Sequence, residues 1–399
     1  MTPSTLPPQR LISIDAYRGW VMLLMLGEAL HLCSVAEALP ESRFWAFLCH
    51  HQSHVDWAGC SLHDLIQPSF SFLVGVALPF SITSRVARGA GFGMMLGHAA
   101  WRAFLLVAIG VGLRSIGHPQ TYFTFEDTLS QIGLGYVFLF LLGFRSMRIQ
   151  WIVWGCLLIG YWLFFALYPL PGPHFDWSEA GVAADWSHHA AGFAAHWNMN
   201  SNPAWAFDRW FLNLFPRAEP FRFNDGGYST LSFIPTLGTM ILGLIAGGWL
   251  KSEQLSPAAK TRHFLIAAGI GLAAGWLLDA VGLCPNVKKI WTPAWVLFSG
   301  GWCFAFLAFF HAMLDRRAGG TTTRWAFPLL VVGANSIFAY CCEWLVFGFL
   351  RETMETHLGA DFFNLFGAPY RDLFQGACVL AIVWLMLYWL YRRKIFLRI

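Results

Sequence analysis

Apolar residues do not alternate along this chain or form narrow stripes. They come as long uninterrupted runs near 17–38, 64–86, 97–117, 127–145, 149–170, 229–250, 261–282, 293–315, 325–347 and 373–392. A run of about 20 apolar residues matches the hydrocarbon thickness of a bilayer when coiled as a helix. The pattern therefore predicts an all-α polytopic membrane protein with about ten transmembrane helices. Basic residues cluster after every second run: Arg85 and Arg88, Arg145 and Arg148, Lys251 with Lys260 and Arg262, Arg316 with Arg317 and Arg324, and Arg392 to Arg398. With Arg10 in front, the positive-inside rule predicts cytoplasmic N and C termini. The segment 39–63 then falls on the non-cytoplasmic side.

Polar residues matter most where they interrupt this pattern. Ser61 followed three residues later by Asp64 is a helix-start signature, so the loop carrying His54 hands over to the second run there. Pro68 lies about one turn further in, where a proline is expected to bend the entry. An imidazole and a carboxylate beside such an entry suit proton transfer to or from a polar substrate.

Composition narrows the class. The chain is 57% apolar and only 12% charged, far below the share of about 25% charged residues in soluble domains. The net charge of +4 is scattered between apolar runs and forms no basic patch, which argues against nucleic acid. A single membrane domain over 1–399 is expected, with outer loops 39–63 and 171–228 forming its non-cytoplasmic face. The first run lacks a small-residue cleavage site after it and reads as a retained helix. The nine cysteines show no paired metal-type spacing. Cys33, Cys49, Cys60 and Cys284 fall on the outer side and allow one disulfide without fixing its partners.

Several further residues carry candidate chemistry. Asp15 and Arg18 share a helical face at the inner membrane edge and are expected to pair. Glu28 is ionisable midway along the first run, where such a group usually faces a cavity. His50, His51 and His54 have a spacing that a metal site could use, but no compact partner set surrounds them, and no metal is expected. Trp57 reads either as an interfacial anchor or as a sugar platform. Gln131 is a polar position near the start of the fourth run. The Trp- and Asn-rich loop 171–228 suits either sugar recognition or an interfacial lid. Ser229 to Pro235 repeats the polar, proline-containing entry. Gly238, Gly243, Gly247, Gly271 and Gly275 are expected to permit close helix packing. Lys288 and Lys289 beside Trp291 oppose the topology bias and need another purpose, either an acidic or polar sugar or a lipid headgroup. Asn335 is an intramembrane amide.

The spacing His54-x-x-Trp57-x-Gly59 and then Asp64-Leu65-x-x-Pro68-x-Phe70 resembles the signature of the heparan-alpha-glucosaminide N-acetyltransferases and their bacterial relatives. Similar elements recur at Asp15-x-x-Arg18-Gly19, Gln131, Ile234-Pro235, Asn286 to Thr292 and Gly333-x-Asn335-Ser336. The family's asparagine near the middle of its first span is Glu28 here. The resemblance implies a transmembrane acyltransferase. Acetyl would pass from cytoplasmic acetyl-CoA to an amino sugar or sugar hydroxyl outside, with His54 as general base or acyl-accepting nucleophile. Asp64 or Asp56 would orient its ring. Arg18, Glu28, Gln131 and Asn335 would serve the donor, with Arg85, Arg88 and Arg145 as further cations, and Trp57, Lys288, Lys289 and Trp291 the acceptor. An inner-membrane, multi-pass location with His54 on the periplasmic side follows, and the glycine faces are compatible with a homodimer. The rival class is a proton-coupled sugar transporter, in which Glu28, Asp279 or Glu343 would be indispensable.

Overall fold

The computed structural model describes residues 11–315 and 324–397. Arg10, Arg316, Arg317 and Arg398 of the charge pattern lie outside these residues. The chain is an all-α polytopic membrane protein. Among the described residues, seven helices are long and apolar enough to cross a membrane, or up to nine if each of two bent pairs counts as one span. The remaining apolar run forms the shorter helix Thr128–Leu142.

In order, the helices are α1 (Ile12–Leu26), α2 (Leu32–Ala38), α3 (Arg43–Gln52), α4 (Ile66–Ala87), α5 (Phe92–Arg114), α6 (Thr128–Leu142), α7 (Met147–Ala166) and α8 (Pro203–Phe211). They continue with α9 (Phe233–Lys251), α10 (Pro257–Ala280), α11 (Pro293–Phe310), α12 (Phe327–Gly333), α13 (Ser336–Leu345), α14 (Phe347–Leu358) and α15 (Arg371–Arg392). They belong to two compact units: among the described residues, one comprises 56–59 and 67–312, the other 12–55, 60–66, 313–315 and 324–397.

In the first unit, α9 is the most enclosed of the long helices. Its Gly243 and Gly247 face the backbone of Phe72 and Val76 on α4, and α4 returns Gly75 to the backbone of Met240. A Cβ at any of the three would overlap main chain, so the expected close packing is realised here by glycine on both partners. Helix starts follow their side chains. Asp127 Oδ1 accepts from Leu129 N at 2.9 Å and Ser130 N at 3.0 Å. Asn202 caps α8, and Thr292, followed by Pro293, caps α11.

Both proline entries differ from expectation. A three-residue 3₁₀ turn, His63–Leu65 or Thr230–Ser232, precedes each α-helix, so Pro68 and Pro235 fall at the third α position. There the missing N–H deprives the helix of no internal bond. His63–Ala87 accordingly runs as a single span. The proline inside α4 is Pro79.

The second unit holds the two bent spans. The first run breaks between α1 and α2 at a 3₁₀ turn, Gly27–Leu30, with a bend of 41°. His31 there adopts left-handed φ of 46°. Broken backbone in a membrane must find new partners, and side chains from elsewhere in this unit supply them. Gln52 Nε2 donates to Gly27 O at 2.6 Å, its Oε1 accepts from Leu32 N at 2.6 Å, and Arg351 Nη2 donates to Ala29 O at 2.7 Å. The segment 39–63, expected as a loop, contains α3, which carries Gln52. The second bend, 77° between α12 and α13, falls at Asn335.

One disulfide joins Cys33 of α2 to Cys49 of α3 across 16 positions. Cys60 and Cys284 take no part in a disulfide. Closing a loop of this length stabilises a folded state by about 3 kcal/mol. Replacing both cysteines by serine is expected to lower the thermal unfolding temperature of the purified protein, and reductant is then expected to have no further effect. Equal unfolding temperatures for the wild type with and without reductant would refute the assignment.

Candidate active site

The stretch between α3 and α4 is tied to itself before it reaches the membrane. Ser61 N donates to Asp64 Oδ2 at 3.0 Å, and Asp64 N returns to Ser61 Oγ at 3.2 Å. This reciprocal pair is the helix-start signature read from the sequence, built with aspartate in place of the commoner glutamate. Ser61 Oγ also donates to Ser53 O at 2.6 Å, which fixes the backbone just before His54. Leu62 N donates to His51 Nδ1 at 3.2 Å.

These bonds aim the Asp64 carboxylate. Its Oδ1 lies 2.8 Å from His54 Nδ1, while Oδ2 also accepts from Val55 N at 3.3 Å. Asp64 is 1% exposed and the His54 side chain 41% exposed. A carboxylate on Nδ1 holds the imidazole in the tautomer with its proton on that atom. That leaves the lone pair on Nε2, the atom able to abstract a proton.

A second imidazole–carboxylate pair lies alongside. His63 Nε2 is 2.6 Å from Glu28 Oε1, and the rings of His54 and His63 are centred 4.5 Å apart. Glu28 faces a cavity of about 370 Å³ lined also by His31, Gln52, Glu343 and Arg351. The cavity anticipated for an intramembrane acid is therefore present. His63 was visible in the sequence but drew no role, because nothing local joins it to a residue 35 positions earlier.

Other candidate residues have different surroundings. Arg18 Nη1 pairs with Asp15 Oδ1 at 3.2 Å. Asn335 spends both amide atoms on the C-terminal segment, donating to Ile395 O at 3.0 Å and accepting from Leu397 N at 2.9 Å. Gln131 Nε2 is taken by the carbonyls of Phe125 and Thr230, at 2.6 and 3.2 Å. The side-chain nitrogens of these two amides thus bond to backbone carbonyls. Asp56 is 83% exposed, with His188 Nε2 3.8 Å away. Asp64 is the carboxylate on the His54 ring. Among the described residues, no group of three or more His, Cys, Asp or Glu side chains is placed to hold a metal ion.

Trp57 and Trp291 are both buried. Trp57 is 3% exposed and donates its indole N–H to Trp197 O at 3.2 Å; Trp291 is 1% exposed and donates to Thr239 Oγ1 at 3.1 Å. Neither ring has a face for a sugar or a lipid interface. Trp57 packs with Trp197, Phe165, Tyr161 and Ile290 in an aromatic core. The turn around Val287 bridges to Ala58, and Gly59 N donates to Asn286 O at 3.0 Å. Lys288 is buried in that turn, and Lys289 Nζ sits 5.6 Å from the Tyr228 ring centre.

The long segment 171–228 is a folded cap rather than an open binding loop. Asn200 donates to Ala180 O and Asn224 O, both at 2.9 Å, and Asn224 Oδ1 accepts from Gly226 N and Tyr228 N. The amides expected to face hydroxyls serve the loop's own backbone.

Asp208 of this cap is 2% exposed, and burial pushes its carboxyl up to about 7, against hydrogen bonds from Thr230 that favour the charged form. Its Oδ2 accepts from Thr230 N at 2.8 Å. A folded-state value above the ordinary value of about 3.9 favours folding while the carboxyl is protonated in both states. That contribution is lost as pH rises from the unfolded value to about 7. The unfolding temperature of the wild type is expected to fall across that interval, and Asp208→Asn to flatten the fall. An unchanged slope in the variant would assign the pH dependence elsewhere.

No family model matches the chain. Similarity to curated proteins covers nearly all of it. The human heparan-alpha-glucosaminide N-acetyltransferase is 24% identical over 99% of this chain and 61% of its own length. The mouse protein of the same name is 22% identical over 98% of this chain and 60% of its own. The chain thus spans about three fifths of the length of the relatives it matches. With its membrane helices and the Asp64–His54 pair in view, the sequence places this chain as a distant relative of the heparan-alpha-glucosaminide N-acetyltransferases.

Proposed function

We propose that this chain is a transmembrane acyltransferase that moves acetyl from acetyl-CoA to the amine or hydroxyl of a sugar. The carrying observation is the Asp64–His54 pair: a buried, four-way engaged carboxylate holds Nδ1 of a half-exposed imidazole at 2.8 Å. The names and coverage of the relatives support the acetyl donor and the sugar acceptor. In this reading His54 Nε2 takes a proton from the acceptor as its nitrogen or oxygen attacks the thioester carbonyl. The new C–N or C–O bond forms, the C–S bond breaks, and the proton returns to the CoA thiolate. His54 acting first as nucleophile would give an acetyl-imidazole and the same products.

The charge pattern supports donor entry from the cytoplasm, an inner-membrane location and His54 on the opposite, periplasmic side. Arg18 with Arg85, Arg88 and Arg145 are the cations proposed for the donor's phosphates at the inner mouth, and Lys289 and Lys288 are the proposed contacts for the acceptor's side. The test is release of CoA thiol by purified protein given acetyl-CoA and a panel of amino sugars and neutral sugars. Acceptor-dependent release is expected. The cavity at Glu28 favours one second reading, proton-coupled sugar transport. Sugar accumulation by liposomes containing the protein, without consumption of acetyl-CoA, would replace the first reading with that one.

A further inference from the structure

A sugar amine bound as its ammonium must lose two protons to become an amide. One leaves before attack, since an ammonium has no lone pair, and one leaves as the C–N bond forms. The CoA thiolate takes back one proton, so the other must depart from the site. A single imidazole holds one proton at a time, and His54 alone has no second station. A hydroxyl acceptor releases one proton only, which the thiolate consumes.

A second imidazole–carboxylate pair adjoins His54. His63 is ring to ring with His54 at 4.5 Å and pairs through Nε2 with Glu28 at 2.6 Å. Glu28 and Glu343 line the same cavity. Arg351 and His31 are its other charged or titratable groups. Asp64 Oδ1 lies 2.8 Å from His54 Nδ1.

We propose that His63 and Glu28 are positioning residues that accept the first proton of an ammonium acceptor from His54 and release it through the Glu28 cavity. This rests on the acyl-transfer reading, and it specifies an acceptor that arrives as a cationic primary amine. The path is a chain of proton exchanges in which no bond other than N–H and O–H changes. His54 becomes neutral again and is ready for the second proton, which returns to the thiolate.

The test compares wild type with Glu28→Gln and His63→Gln as full-length protein in nanodiscs, using acetyl-CoA and glucosamine and following CoA thiol release against pH. Below the amine's pKa, kcat is expected to fall about tenfold or more in either variant. Above it the amine arrives already neutral, and the variants are expected to approach wild type. Added imidazole, a diffusible proton carrier, is expected to restore the low-pH rate. A loss of equal size at every pH, without rescue, would overturn the relay in favour of a structural role, as would variants equal to wild type throughout.

Histidine NMR of the same samples separates this from failure of the enzyme reading. Removing the Glu28 charge is expected to move the His54 titration to lower pH, whatever the activity. An unmoved His54 titration would overturn the coupling. Absence of acetyl-CoA consumption by folded wild type would overturn acyl transfer, and the relay for it, even if the titration shifts.

Discussion

His54→Ala is expected to abolish acceptor-dependent CoA release while leaving the unfolding temperature close to wild type. The His54 side chain is half-exposed, so its removal opens no core cavity. General acid–base catalysis by a positioned imidazole contributes about 10²–10⁴ in rate, and a loss in that range is the expected reading. Asp64→Asn tests the same site through its second member. The amide would turn a donor toward His54 Nδ1 and favour the tautomer with its proton on Nε2, the wrong atom for a base. In a serine-protease triad, the corresponding change costs about 10⁴ in kcat. Here the carboxylate also accepts from Ser61 N, Ser61 Oγ and Val55 N, so Asp64→Asn is further expected to lower stability. Retention of full activity by His54→Ala would remove the imidazole from the mechanism. If Asp64→Asn alone retained activity, only the role given to the carboxylate would fall.

Trp57→Ala is expected to destabilise the protein by about 3–5 kcal/mol, the usual cost of deleting a large buried aromatic ring. Losing the indole N–H also leaves the Trp197 carbonyl without its donor at 3.2 Å, which adds to the cost. Trp57→Phe keeps most of the volume and is expected to cost less, through the hydrogen bond alone. The kinetic readout makes the distinction: a core residue predicts that the acceptor KM of folded Trp57→Phe protein matches wild type. A raised acceptor KM with unchanged unfolding temperature would restore the sugar-platform reading of this tryptophan. Thermal unfolding in detergent and acceptor titrations on the same preparation give both numbers.

The histidine–carboxylate site and the aromatic core grow from the same short stretch, 54–64, yet they were not equally visible from sequence. His54 and Asp64 stood out because a capping signature is local: Ser61 and Asp64 meet within one helical turn whatever the rest of the chain does. The Asp15–Arg18 pair was legible for the same reason. Trp57 had no such local rule. A tryptophan near a membrane surface fits an interface, a platform or a core equally well, and what decided was Trp197, 140 positions away. The partners of the amides were equally hidden. Asn335 and Gln131 were recognised as polar groups in apolar surroundings, but their partners at Ile395 and Phe125 are backbone carbonyls, which carry no sequence identity to search for.

What the sequence by itself determined is the class of protein and the local frame of its candidate site. Long apolar runs have no stable state in water, and the bilayer demands helices of them; a short-range cap then positions the acid of the His54 pair. Tertiary structure alone decided which elements satisfy the broken first span. Gln52 and Arg351 reach Gly27, Leu32 and Ala29, and the Cys33–Cys49 disulfide fastens α3 beside them. It alone joined Glu28 to His63. Hydrophobic patterning and capping act over a few residues, so they can be read along the chain. Pairing between distant side chains depends on where closed backbone bonds and packed helices finally bring them, and that information is held by the fold.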